Sequence, residues 1–190
     1  MTRGPTLPAH RLPYLPKPLD AFNTVPVDEA RSLLLHCLHS RRWSHRLADH
    51  RPYPDLGALL AAADEAAYDL APADLAEALA GESLPELPED TYSAAHMALS
   101  AAHAAYEARF GHAFVIYLGD APPDEAVDRF LEAIRSRLAN DPEEERIVTA
   151  EELRRLAKDR LARLLGGAGP HPPAAPPRGA TSHNGAAPGR

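Results

Sequence analysis

The stretch Ala101–Leu118, reading AAHAAYEARFGHAFVIYL, decides the fold. Its first part is helical: Leu99, Ala102, Tyr106 and Phe110 recur three or four residues apart, the spacing of one helical face. Gly111 ends that helix, because glycine accepts the positive φ of a helix C-terminus. Residues 112–118 that follow are short, apolar and rich in β-branched and aromatic side chains. So short a segment forms no sheet alone. In a chain otherwise helical it is predicted to lie extended and buried between helices, where its backbone N–H and C=O groups need partners. Neighbouring side chains or waters would make it a core connector, and a ligand would make it a site.

Outward from this stretch, the chain reads as one domain. Its 190 residues suffice for a sizeable core. It is 45% hydrophobic but only 6% aromatic, with Ala and Leu dominant, which favours helices over sheet. The net charge of −7 argues against a nucleic-acid surface, which needs a clustered basic field. Lysine occurs only at Lys17 and Lys158, and this Arg bias, with abundant Ala and Pro, points to a GC-rich bacterial source. The single cysteine, Cys37, excludes an intrachain disulfide and a multi-thiolate metal site. No apolar run approaches the roughly 18 residues of a membrane span. No membrane partner is expected, and the expected location is the cytoplasm.

In chain order, residues 1–20 are Pro-punctuated and read as a flexible arm. A helical domain is expected over 21–166, and the Pro-, Gly- and Ala-rich residues 167–190 read as a disordered tail. Within the domain, Asp28 after Pro26 opens a helix over Glu29–His39, with Cys37 on its inward face as a core thiol. Ser40-Arg41-Arg42-Trp43 leads into a short helix that ends near His50, before Pro52 and Pro54. Asp55 caps the next helix, and Ala71-Pro72-Ala73-Asp74 caps Leu75–Ala80. Ser93–Arg109 is the helix that delivers the chain to Phe114. Asp120 or Asp124 starts another, with Ala126, Val127, Phe130, Leu131, Ile134 and Leu138 inward. Asp141-Pro142-Glu143-Glu144-Glu145 is a helix start with three acids against the positive end of the dipole. That last helix carries Ala150, Leu153, Ala157, Arg160, Leu161 and Leu164 on one stripe. Arg160 at its margin either pairs with an anion or extends its head to water.

The motifs in combination resemble the OHCU decarboxylase family over roughly residues 21–165. Tyr106-Glu107-x-x-Phe110-Gly111-x-x-Phe114-Val115 is similar to that family's YxxxFGxxF-type signature. Phe22-Asn23, Cys37, Ser40-Arg41-Arg42-Trp43, Arg51-Pro52 and AAADEAAYDLAPADLAEALAG (residues 61–81) match its scaffold. The resemblance implies an all-α, cofactor-free fold, commonly a homodimer. The implied activity is decarboxylation of 2-oxo-4-hydroxy-4-carboxy-5-ureidoimidazoline to (S)-allantoin, the last step from urate. It also implies that a small ureide is held by the backbone of Phe114, Val115, Ile116, Tyr117 and Leu118 and by Arg160.

The family's acid–base pair is not matched. Glu82 stands where its His-Pro motif has histidine, and Ser83 where that motif has proline. The stretch after Glu82 is shorter than in the family, so its Ser-x-x-Glu-Gln motif has no secure counterpart. A forced match through Ser93-Ala94-Ala95-His96 puts His96 at the glutamate position. Glu82 with His96 or His103 is therefore the candidate acid–base set. The ten histidines form no pattern with metal spacing. His36 and His39 are helix neighbours without a visible third ligand, so no metal is expected.

Three readings follow. A decarboxylase, or a non-catalytic relative that binds a ureide-like anion or a protein partner, predicts a pocket lined by Arg160 and Phe114–Leu118. A helical interaction domain predicts that an internal carboxylate occupies Arg160.

Overall fold

The computed structural model describes residues 18–83, 93–119 and 121–166, with the backbone alone at 93–96 and 123–124. Among the described residues it has eight α-helices and no β-strand. They are α1 (Pro18–Thr24), α2 (Val27–Cys37), α3 (Arg41–Asp49), α4 (Leu56–Tyr68), α5 (Pro72–Ala80), α6 (Ser93–Phe110), α7 (Pro123–Arg137) and α8 (Pro142–Leu165). The arm over 1–17 and the tail over 167–190 lie outside the described residues, as does the stretch 84–92. None of the helices is long and apolar enough to cross a membrane.

Local chemistry sets most boundaries. The Ser40 hydroxyl accepts from Trp43 N–H at 3.3 Å and Asp55 Oδ1 from Ala58 N–H at 2.8 Å. Asp141 Oδ1 accepts from both Glu143 and Glu144 N–H at 2.9 Å, so three helix starts carry side-chain caps. Gly111 ends α6 at φ +78°, where a side chain would be strained. Four expectations are corrected. Residues 18–20 form the first turn of α1 rather than the arm. α2 starts at Val27 and ends at Cys37, because Leu38 is already extended (φ −148°, ψ 120°). α7 starts at Pro123 with no side-chain cap, so neither Asp120 nor Asp124 is its N-cap. On α8, Leu164 is 41% exposed, and Leu165, four residues after Leu161, takes the inward place.

The helices α2, α3, α4 and α8 pack in a ring, each on the next, with α8 closing back on α2 and α1 lying on α8. Inside are Phe22, Leu34, Trp43, Leu47, Leu59, Leu153 and Leu161. Trp43 is fully buried, and its indole N–H donates to the Ala63 carbonyl at 2.9 Å. The Phe-Asn and Arg-Pro motifs fasten this ring. Asn23 exchanges two 2.9 Å bonds with the Tyr53 backbone, and Arg51 donates to the carbonyls of Phe22, Val25 and Ala48. A second, smaller core lies between α6 and α7, built from Leu99, Tyr106, Phe114, Phe130 and Ile134.

The extended segment joins the two cores. Successive side chains of an extended chain point to opposite sides. Phe114 accordingly enters the α6–α7 core and Val115 the helical ring. One short segment thereby stitches both halves, and its backbone faces the space between them.

Candidate functional site

Holding that backbone in place falls to side chains from three helices. From α6, His103 Nε2 accepts the Phe114 N–H at 3.3 Å. From α7, Arg137 Nη1 donates to the Val115 carbonyl at 2.7 Å. From α8, Glu152 Oε2 accepts the Tyr117 N–H at 2.7 Å. Side chains thus supply several of the partners that burial demands. Among the described residues, the N–H groups of Ile116 and Leu118 find no acceptor.

Arg137 belongs to a buried network that the sequence reading did not find. Its Nε and Nη2 donate to Glu145 Oε1 at 2.8 and 2.5 Å, and Nη2 donates to Thr149 Oγ1 at 2.9 Å. The Tyr106 hydroxyl donates to the same carboxylate oxygen, and Asn140 Nδ2 donates to the other at 2.8 Å. The Arg137 guanidinium also lies over the Phe114 ring, 4.4 Å from its centroid. Burial works to raise the Glu145 carboxyl, but the bonds from Arg137 and Tyr106 outweigh it and hold that carboxyl below its ordinary value. Burial, and then the bond to Glu145, raise the Tyr106 phenol. The network was legible in one respect. Continuing the α8 stripe backwards from Leu153 by steps of four reaches Thr149 and then Glu145.

Beside this frame opens a cavity of about 640 Å³. Phe114, Val115, Ile116, Tyr117 and Leu118 form one wall, and Arg160, Asp159 and Arg163 of α8 form another. Glu82, Gly81, His36 and His39 close it from the ends of α5 and α2. The structure therefore brings Arg160, Glu82 and the extended segment together. Arg160 Nη1 and Nη2 each donate to one oxygen of Glu82, at 2.7 and 2.8 Å, and Nη1 also donates to the Cys37 carbonyl at 3.2 Å. The Glu82 side chain is 6% exposed and that of Arg160 34%. The bond to Glu82 is the main influence raising the pKa of Arg160. So the pocket and the internal carboxylate, expected of rival readings, are both present.

The two expected imidazole partners fare differently. His103 is buried under Phe114, and its Nε2 is occupied as an acceptor, with Nδ1 3.7 Å from Glu107. It does not line the cavity. His96 sits in the first turn of α6, and its side chain lies outside the described residues. The histidines that do line the cavity are His36 and His39, which the sequence reading weighed only as a metal pair. His36 Nδ1 lies 2.6 Å from the Ser32 carbonyl, so it carries the proton and Nε2 is the accepting nitrogen of the neutral ring. His39 packs so tightly on Gly81 that a Cβ there would lie 2.3 Å from His39 Cγ. Gly81 is thus required by close approach, not by its φ of −89°. Cys37 is a core thiol: burial pushes it up to about 11, which keeps it from acting as a nucleophile. Among the described residues, no cluster of three or more His, Cys, Asp or Glu could hold a metal.

This architecture has counterparts. A family model described as OHCU decarboxylase matches residues 23–162. The fold is similar to a crystal structure of (S)-allantoin synthase, with TM-score 0.62 and 21% identity over 79% of this chain and 54% of that one. It is also similar to OHCU decarboxylase crystallised in the presence of (S)-allantoin, with TM-score 0.60 and 20% identity over 70% of this chain and 96% of that one. The chain spans about half the length of the (S)-allantoin synthase. No curated protein matches it in sequence.

Proposed function

The chain belongs to the OHCU decarboxylase family, and on that premise we propose that its cavity is a ureide site of urate catabolism whose decarboxylating power is weak. The observation that carries this reading is the Arg160–Glu82 ion pair inside a cavity walled by the Phe114–Leu118 backbone. The wall supports ureide binding, since the open N–H groups of Ile116 and Leu118 are suited to the carbonyls of a ureide or hydantoin. Arg160 adds further donors on the opposite side.

The chemistry is where the site departs from its family. Loss of CO₂ leaves an electron pair that must receive a proton, and the donor must lie within hydrogen-bond reach. Glu82 stands where the family has histidine, and both its oxygens are held by Arg160. His103 is committed to the Phe114 backbone. Losing an acid–base group forfeits about 10²–10⁴-fold in rate. Backbone binding alone does not replace it.

Substrate generated in situ from urate, followed by polarimetry for optically active allantoin, tests the reading. Allantoin binding with slow or undetectable turnover is expected, and turnover comparable to a family member with the intact pair would sink it. One observation favours a second reading. His39 sits against Gly81, next in sequence to Glu82 and on the same cavity. The His39 imidazole, from the turn after α2, would with Glu82 give a competent pair of different origin.

A further inference from the structure

We infer that Glu82 sets the ligand class of this cavity, turning it toward neutral ureides and away from carboxylated ones. The inference rests on the ureide-site reading above and adds to it the charge of the ligand.

Opposite charges are balanced around one space. From α8 come Asp159, Arg160 and Arg163; from the end of α5 comes Glu82; from α2 and the turn after it come His36 and His39. Arg163 Nε pairs with Asp159 Oδ2 at 2.9 Å. Arg160 pairs with Glu82 through both nitrogens. Each cation lining the cavity therefore already has its anion. A ligand carboxylate that approaches Arg160 meets Glu82 on the same guanidinium edge, and like charges brought that close in a half-desolvated site repel strongly.

A neutral ureide meets no such repulsion. A carboxylate oxygen has two lone-pair directions, so a Glu82 oxygen that accepts one guanidinium N–H can accept a ureido N–H as well. The extended segment, which also lines the cavity, supplies the complementary groups: the N–H donors of Ile116 and Leu118 meet no acceptor within the described residues. Urea-type groups carry both donors and a carbonyl, and they match this alternation without displacing the ion pair. Glu82 is thus a built-in anion that fills the carboxylate's place and presents acceptors instead.

The test compares two probes that share ureido groups and differ in charge: allantoin, which is neutral, and allantoate, its ring-opened carboxylate. Isothermal titration of the full chain is expected to give at least about 10-fold tighter binding of allantoin. Glu82→Gln removes the charge and one acceptor oxygen, and it is expected to reverse the order, tightening allantoate about 10-fold or more and weakening allantoin. Glu125→Gln, on the exposed face of α7 and outside the cavity lining, should leave the wild-type order in place. Tighter allantoate binding by the wild-type chain overturns the inference while leaving the ureide site standing. Absence of binding of either probe overturns the ureide site itself. If Glu82→Gln folds poorly, the wild-type preference still decides.

Discussion

Arg160 grips Glu82 through both guanidinium nitrogens across 78 residues of chain, at the point where α5, α2 and α8 converge on the extended segment. Removing the cation leaves a carboxylate that is 6% exposed without its partner. Breaking a buried pair costs about 3–5 kcal/mol, and the partial exposure of Arg160 reduces this to about 1–3 kcal/mol. Arg160→Met should therefore lower the urea midpoint as well as abolish allantoin binding. Arg160→Met with Glu82→Gln should recover most of the stability and none of the binding, which separates the two roles of the arginine.

The Arg137–Glu145 pair should matter more for folding. Glu145 is fully buried and takes four side-chain donors, Arg137, Tyr106, Asn140 and Thr149. Arg137→Met leaves that charge unpaired and also frees the Val115 carbonyl. A loss of about 3–5 kcal/mol is expected in chemical denaturation. A change below about 1 kcal/mol would show that the network does not hold the segment.

The same carboxyl predicts an acid limb. Folding holds Glu145 below its ordinary value of 4.5, because the bonds from Arg137 and Tyr106 outweigh the opposing effect of burial. A carboxyl lowered by folding contributes stability that is complete above the unfolded value and is lost as pH falls through the folded one. Between pH 4.5 and lower values, wild-type stability should fall more steeply than that of Glu145→Gln. Parallel slopes of the two proteins in that range would contradict the assignment.

Much of this fold was written in local patterns. The caps at Asp55 and Asp141 and the stop at Gly111 each act within a few residues, so they can be read before any tertiary contact is known. The family resemblance likewise singled out Arg160, position 82 and Phe114–Leu118, which line one cavity. What escaped depends on distant pairing. Glu145 looked like one of three acids at a helix start, although only it turns inward. The partner of Glu82 was sought on α6, whereas the cavity histidines come from α2 and the turn after it, because the α2–α5 approach is set by packing. The prolines at 26 and 122 start helices by conformation alone, which a search for capping side chains misses.

That α2–α5 approach gives a prediction of its own. Gly81→Ala places a methyl group 2.3 Å from His39 Cγ and 2.5 Å from its Cβ, near the root of the side chain where rotation gives little relief. Overpacking of this kind costs about 1–3 kcal/mol. His39→Ala should relieve it, so the double variant should be more stable than Gly81→Ala alone. Additive effects in the double-mutant cycle would mean that the ring does not rest on Gly81.

Turnover by variants locates the chemistry. Four chains are compared on substrate generated from urate: wild type, Glu82→Gln, His39→Ala and His96→Ala. The expected outcome is uniformly weak decarboxylation, because Glu82 is tied to Arg160 and no imidazole among the described residues bonds to it. Robust activity lost in both Glu82→Gln and His39→Ala would place an acid–base pair at the α2–α5 junction. Robust activity lost in Glu82→Gln and His96→Ala would instead bring the α6 N-terminus to the cavity. Activity indifferent to all three would put the proton transfer elsewhere. Glu82→His is the complementary experiment. On the reading proposed above it supplies the missing imidazole and releases Arg160 for a substrate carboxylate in one step, so a gain in rate is expected. The gain should stay below the full 10²–10⁴-fold or so of an acid–base group if the second partner remains missing. No gain, with allantoin still bound, would show that the lack of an imidazole at position 82 is not what limits this site.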